Sequence, residues 1–114
     1  MLAVNQEQND VCARYGASFE QPQAGSHLGI ALETLHLVPV YGVRVSPEHG
    51  TNGWYIWGGE WSAAADFFQP LCVEHLADRC PLALPFLALA PGWRFITDGS
   101  YADVWYDPTG FPGT

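Results

Sequence analysis

The chain has 114 residues, a formal charge of −8 and 48% hydrophobic residues, 14% of the total being aromatic. That is room for one domain with a packed core. Twelve acidic residues face four arginines (Arg14, Arg44, Arg79 and Arg94) and no lysine, a balance that excludes a basic stripe for phosphate backbones or anionic lipid. The charged fraction is 14%, below the roughly 25% of an average domain, so part of the surface is covered by small, polar or aromatic residues suited to contact. Cys12, Cys72 and Cys80 are an odd set without Cys-x-x-Cys spacing, unlike a secreted disulfide scaffold. With no basic n-region or apolar run at the start, and no stretch of about 20 apolar residues, the expectation is a cytoplasmic domain with reduced thiols and no membrane span.

In chain order, residues 1–25 read as a flexible polar arm, with a short helical turn around Val11 to Tyr15 and a linker at Gln21 to Gly25. Ser26 is placed to cap a helix, and Leu28, Ala31, Leu32 and Leu35 follow at helical spacing up to Pro39. Val40 to Val45 alternates as a strand. Asn52-Gly53 closes a turn over 48–53. Trp54-Tyr55-Ile56-Trp57 is the strongest strand signal, apolar on both faces, and Gly58-Gly59 ends it. Pro70 opens a predicted amphipathic helix of three turns, with Val73, Leu76, Ala77 and Cys80 inward and Glu74, His75, Asp78 and Arg79 outward. Residues 81–90 predict a short buried helix. Trp93 to Thr97 and Asp103 to Asp107 predict a hairpin about Asp98-Gly99-Ser100. The expected fold is α+β: a small antiparallel sheet of three or four strands with two or three packed helices. The domain runs 26–108, and 109–114 is a frayed Gly/Pro tail.

Gly53-Trp54-Tyr55-Ile56-Trp57-Gly58-Gly59-Glu60, Asp66-Phe67-Phe68-Gln69-Pro70-Leu71, Val73-Glu74-His75-Leu76, Pro91-Gly92-Trp93-Arg94-Phe95 and Asp103-Val104-Trp105-Tyr106-Asp107 together resemble a bacterial family of small proteins, the immunity-protein-33-like group. The resemblance covers about residues 27–107 and leaves out the polar arm. It implies toxin neutralisation in interbacterial competition, and hence a protein partner. It carries over no catalytic residue.

Chemistry-bearing groups are sparse. Glu74 and His75 are the most enzyme-like pair, but neighbours on a helix do not face each other. They mark a candidate ligand pocket, with Glu60, for a rival reading as a small enzyme or ligand-binding domain. Cys72, His75 and Cys80 do not converge as a zinc site requires, so neither metal nor cofactor is expected. No nucleophile elbow or phosphate loop is present. Among five tryptophans, Trp54, Trp93 and Trp105 are assigned to the core. Trp57 and Trp61, flanking Glu60, divide evenly between core and interface. The leading expectation is a stoichiometric inhibitor that masks a toxin through Trp57, Glu60 and Trp61, its acidity steering it to a basic toxin domain. A homodimer using the same aromatic face is the third reading.

Overall fold

A computed structural model describes residues 2–47 and 51–109. Helix α1 spans Leu2–Tyr15. The strands are β1 (His27–Ile30), β2 (Val40–Arg44), β3 (Thr51–Gly58), β4 (Gln69–Cys72), β5 (Trp93–Thr97) and β6 (Ala102–Tyr106). One α-helical turn, α2, covers Leu76–Arg79, and 3-10 turns cover Leu32–Thr34, Val73–His75 and Pro81–Phe86. The strands form one six-stranded sheet in the order β4-β1-β3-β2-β5-β6. Every neighbouring pair is antiparallel except β1 with β3, which run parallel.

The expectation of a three- or four-stranded antiparallel sheet packed with helices is therefore wrong. The sheet is mixed, has six strands and dominates the fold, and two segments read as helical account for the difference. Leu28 and Ile30 alternate into the core, both fully buried, so the working period at 27–30 is two. The helical spacing of Leu28, Ala31, Leu32 and Leu35 is coincidental. Gly29 suits the strand because the Tyr55 ring lies across it, 2.6 Å from where a Cβ would stand. At 69–72, Pro70 serves an edge strand, where a missing N–H is tolerated, rather than a first helical turn. The three-turn helix shrinks to a 3-10 turn and α2, and 81–90 holds a 3-10 segment. The strands predicted at 40–45 and 54–57 are found, paired as β2–β3, and the predicted terminal hairpin is β5–β6. Of the turn predicted over 48–53, Thr51, Asn52 and Gly53 belong to β3 instead; residues 48–50, and 110–114 of the predicted tail, lie outside the described residues.

Residues 2–15 form a helix far longer than the single turn expected there. Val11, Cys12 and Tyr15 pack on the main core. Gln8 is 4% exposed; its amide donates to the Leu84 carbonyl (2.9 Å) and accepts from Gln21 (2.7 Å). The helix ends at Gly16, whose φ of +74° lets the Ala17 N–H reach back to the Cys12 carbonyl (2.9 Å).

The core lies between one sheet face and the layer formed by α1, α2 and 81–90. Trp54, Ile56, Leu28, Val40 and Phe95 are its centre. The Trp54 indole N–H donates to the Leu87 carbonyl at 2.9 Å, so this ring is buried without an orphaned donor. Phe95 crosses Gly42, its partner on β2, where a Cβ would come within 2.0 Å of the ring. Arg44 is also buried on this face. Its guanidinium donates to the carbonyls of Asn52, Glu20 and Leu89 and sits 5.7 Å from the Trp54 ring centroid. Burial holds its pKa below the usual value, with Glu20 opposing the shift. One buried cation thus ties the segment after α1 to the 87–89 loop.

Candidate functional site

Strand alternation puts a second set of side chains on the opposite face. Cross-strand register arranges them in two rows: Tyr55–Val43–Arg94–Trp105 and Trp57–Tyr41–Ile96–Asp103. Residues 59–68 fold back over one half of this face. Gly58 permits the turn, since a Cβ there would stand 2.3 Å from the Thr34 carbonyl oxygen. Gly59, at φ +68°, donates its N–H to the Pro39 carbonyl.

The covering layer is aromatic. Trp61 meets Trp57 edge-on at 5.3 Å between centroids, Phe68 meets Tyr55 at 5.2 Å, and Phe67 packs on Phe68 at 4.9 Å. Tyr41 stacks on Trp57 at 5.4 Å and 14°. The cover stops over β3. Beyond it, β2, β5 and β6 leave a groove of about 490 Å³ walled by Tyr41, Val43, Trp57, Glu60, Trp61, Arg94 and Trp105.

The three residues singled out from the sequence all line this groove, in different roles. Trp57 is floor, only 3% exposed. Trp61 is a half-buried wall and Glu60 an exposed rim carboxylate. Trp105, assigned to the core, is instead 38% exposed on the groove wall. Its neighbour Val104 takes the core-facing position, and alternation then forces Trp105 outward. The sequence reading also missed Tyr41 and Arg94, which the same alternation along Val40–Val45 and Trp93–Thr97 could have found.

Arg94 lies in the floor opposite Trp105 and is 8% exposed. Its Nε donates to the Asp107 carbonyl (3.0 Å) and its guanidinium is 3.9 Å from the Asp107 carboxylate. Asp107 is held below the usual carboxylate range, first by the Thr109 hydroxyl (2.6 Å), then by the Thr109 N–H and Arg94. The groove is thus an aromatic surface with a tethered cation in its floor and a carboxylate at its rim.

Glu74 and His75 are exposed on the turn after β4, at the far edge of the sheet. They do not join Glu60 at the groove. Glu74 accepts from the Cys72 thiol (2.8 Å) and the Gly25 N–H (2.9 Å). These bonds hold its pKa down, the thiol contributing most, and the bond to Glu74 in turn holds the Cys72 thiol up. Its observed work is to fasten β4 to the chain before β1. Cys12 and Cys80 are buried free thiols whose pKa values burial raises. No group of three or more His, Cys, Asp or Glu residues converges among the described residues. No helix there is long and apolar enough to cross a membrane.

The family model that matches this sequence is the Imm33-like domain, over residues 7–107. The match starts inside α1 and so takes in a segment that the sequence motifs leave out. No curated protein matches the chain, and no solved structure does.

Proposed function

The chain belongs to the Imm33-like family, and from that premise we propose that it is an immunity-type inhibitor that binds one bacterial toxin and masks it. The observation that carries the binding site is the groove: three tryptophans and a tyrosine gathered around an uncovered half of the sheet. Aromatic residues anchor interfaces because they bury much area with few rotors to immobilise. Trp61 and Trp105 are the anchors, Trp57 and Tyr41 the floor that sets their geometry. Glu60 belongs to the rim, where a carboxylate tunes encounter rate more than residence time. The charge of −8 suits a basic toxin domain met in the cytoplasm of the cell that makes both. Inhibition needs no turnover in this reading, only occupancy.

The test is co-expression with the cognate toxin and titration of the purified pair. Trp61→Ala and Trp105→Ala are each expected to weaken binding by about 2 kcal/mol, roughly 30-fold, mainly through faster dissociation. Glu60→Gln should slow association and flatten its salt dependence, while the double change Glu74→Ala/His75→Ala should leave binding intact. Full protection by a folded Trp61→Ala/Trp105→Ala variant would remove the groove from the interface.

A further inference from the structure

The groove runs out to β6, the last strand in the sheet order, with β5 as its neighbour and no described strand beyond it. The hydrogen-bond phase of this hairpin follows from its two ends. Asp98 N–H donates to the Tyr101 carbonyl (3.1 Å), and Asp107 N–H donates to the Gly92 carbonyl (2.8 Å). Antiparallel pairs alternate between bonded and non-bonded. In this register Ile96–Asp103 and Arg94–Trp105 are therefore the bonded pairs, and Ala102, Val104 and Tyr106 direct their N–H and C=O groups away from β5.

A row of outward main-chain groups is a template for another strand, and proteins usually block such edges. The opposite edge, β4, is four residues long and carries Pro70. On β6 the block is of another kind: the Asp103 carboxylate accepts from the outward Val104 N–H at 2.9 Å. Asp103 is exposed, as are Trp105 and Tyr106 on either side of the strand's end (38% and 57%). A carboxylate guard is removable. A cation on an incoming strand would draw it off and free the N–H for that strand's carbonyl.

Building on the inhibitor reading above, we propose that the partner docks by strand addition: an extended basic segment pairs with the outer edge of β6 and lays its side chains along the groove wall at Trp105. Charge selects the occupant. A second copy would bring −8 against −8 and set two Asp103 carboxylates at the centre of the new ladder, whereas a segment alternating basic and apolar residues sets its basic side chains on the groove face, against the Asp103 carboxylate and the Trp105 ring, and its apolar ones beside Ala102 and Tyr106. In such recognition the main chain gives affinity and alternate side chains give specificity.

The probes are an eight-residue peptide alternating Arg and Val, the same peptide N-methylated at alternate residues, and one alternating Glu and Val, each titrated into the full chain. The Arg/Val peptide should bind and slow amide exchange at Ala102, Val104 and Tyr106. N-methylation should weaken it at least tenfold, and the Glu/Val peptide should not bind. Ala102→Pro removes one outward donor and no bond to β5, so it should cost about tenfold in a folded chain; Asp103→Lys should do the same by reversing the guard's charge. Equal binding of the N-methylated peptide, protection confined to other residues, or an edge-paired homodimer in sedimentation would overturn the proposal. The cognate toxin separates this inference from the function it rests on. If the toxin binds while the three amides exchange freely in the complex, strand addition is wrong and inhibition stands. If the peptides map to β6 but no toxin partner exists, the edge site stands and the immunity reading falls.

Discussion

Trp54 and Trp57 are three residues apart on β3, on opposite faces of one sheet, and each is almost wholly covered (0% and 3% exposed). What covers them differs. Trp54 is sealed by a second layer of chain, its N–H answered by the Leu87 carbonyl and its ring flanked by Phe95 and the Arg44 guanidinium. Trp57 is covered by the rings of Tyr41, Trp61 and Phe68 beside Ala31 and Val43, at the margin of an open groove. The first environment is closed and specifies the fold. The second is half finished, and the unfinished half is where a partner can complete the packing. A low charged fraction and aromatic residues on both faces of one strand are consistent with this division.

The sharpest way to break the comparison is to truncate on each face in turn. Trp54→Ala should cost about 3–5 kcal/mol, as other large-to-small core changes do, a large part of the roughly 5–15 kcal/mol that holds a typical domain folded. Urea denaturation should show a midpoint lowered by a large fraction of its wild-type value. Gly42→Ala should follow at about 1–3 kcal/mol, because its Cβ would overlap the Phe95 ring and force the centre of the core to move. A denaturation midpoint unchanged from wild type would mean that β2 and β5 are not packed as described. Trp105→Ala, on the open face, should change stability by less than about 1 kcal/mol while costing binding about 2 kcal/mol. If Trp105→Ala instead destabilises as much as Trp54→Ala, the two faces are not different in kind.

The same contrast explains what the sequence could reveal. Elements whose side-chain pattern is their own were legible: the aromatic strand at 54–57, the strand at 40–45, and the closing hairpin. Elements defined by what they pack against were not. At 27–30, Leu28 and Ile30 satisfy a strand and Leu28, Ala31 and Leu32 a helix equally well; only the vacancy between β3 and β4 decides. Helix α1 has inward positions 8, 11, 12 and 15 at helical spacing, but Gln8 breaks the apolar stripe because its amide is matched to a carbonyl 76 positions away. The groove was half legible. Trp57, Glu60 and Trp61 are neighbours in sequence, while Tyr41, Arg94 and Trp105 join them only through sheet order. Trp105 illustrates the rule that tryptophan in a small domain is not automatically core.

The smallest effect separates the surface carboxylates from both faces. Asp98 accepts from the Tyr101 and Ser100 N–H groups and is held below its ordinary value of 3.8 by them, Tyr101 first. Asp107, through Thr109 and Arg94, and Glu74, through Cys72 and Gly25, are likewise held below 3.8 and 4.5. Each binds its proton less readily folded than unfolded, so each contributes stability that is complete above the unfolded value and lost as pH falls through the folded one. Stability should therefore be level with respect to these groups above about pH 5 and decline through pH 4 and below. The replacements Asp98→Asn, Asp107→Asn and Glu74→Gln should flatten that decline. Because all three carboxylates lie on the surface, salt and solvent screen them and the slope should be shallow. Asp107 alone also reaches Arg94 in the groove floor, so Asp107→Asn is the one replacement of the three expected to alter partner binding as well. Measuring acid denaturation and partner affinity on the same three variants decides it: an affinity change confined to Glu74→Gln would shift the functional surface from β6 to the β4 edge.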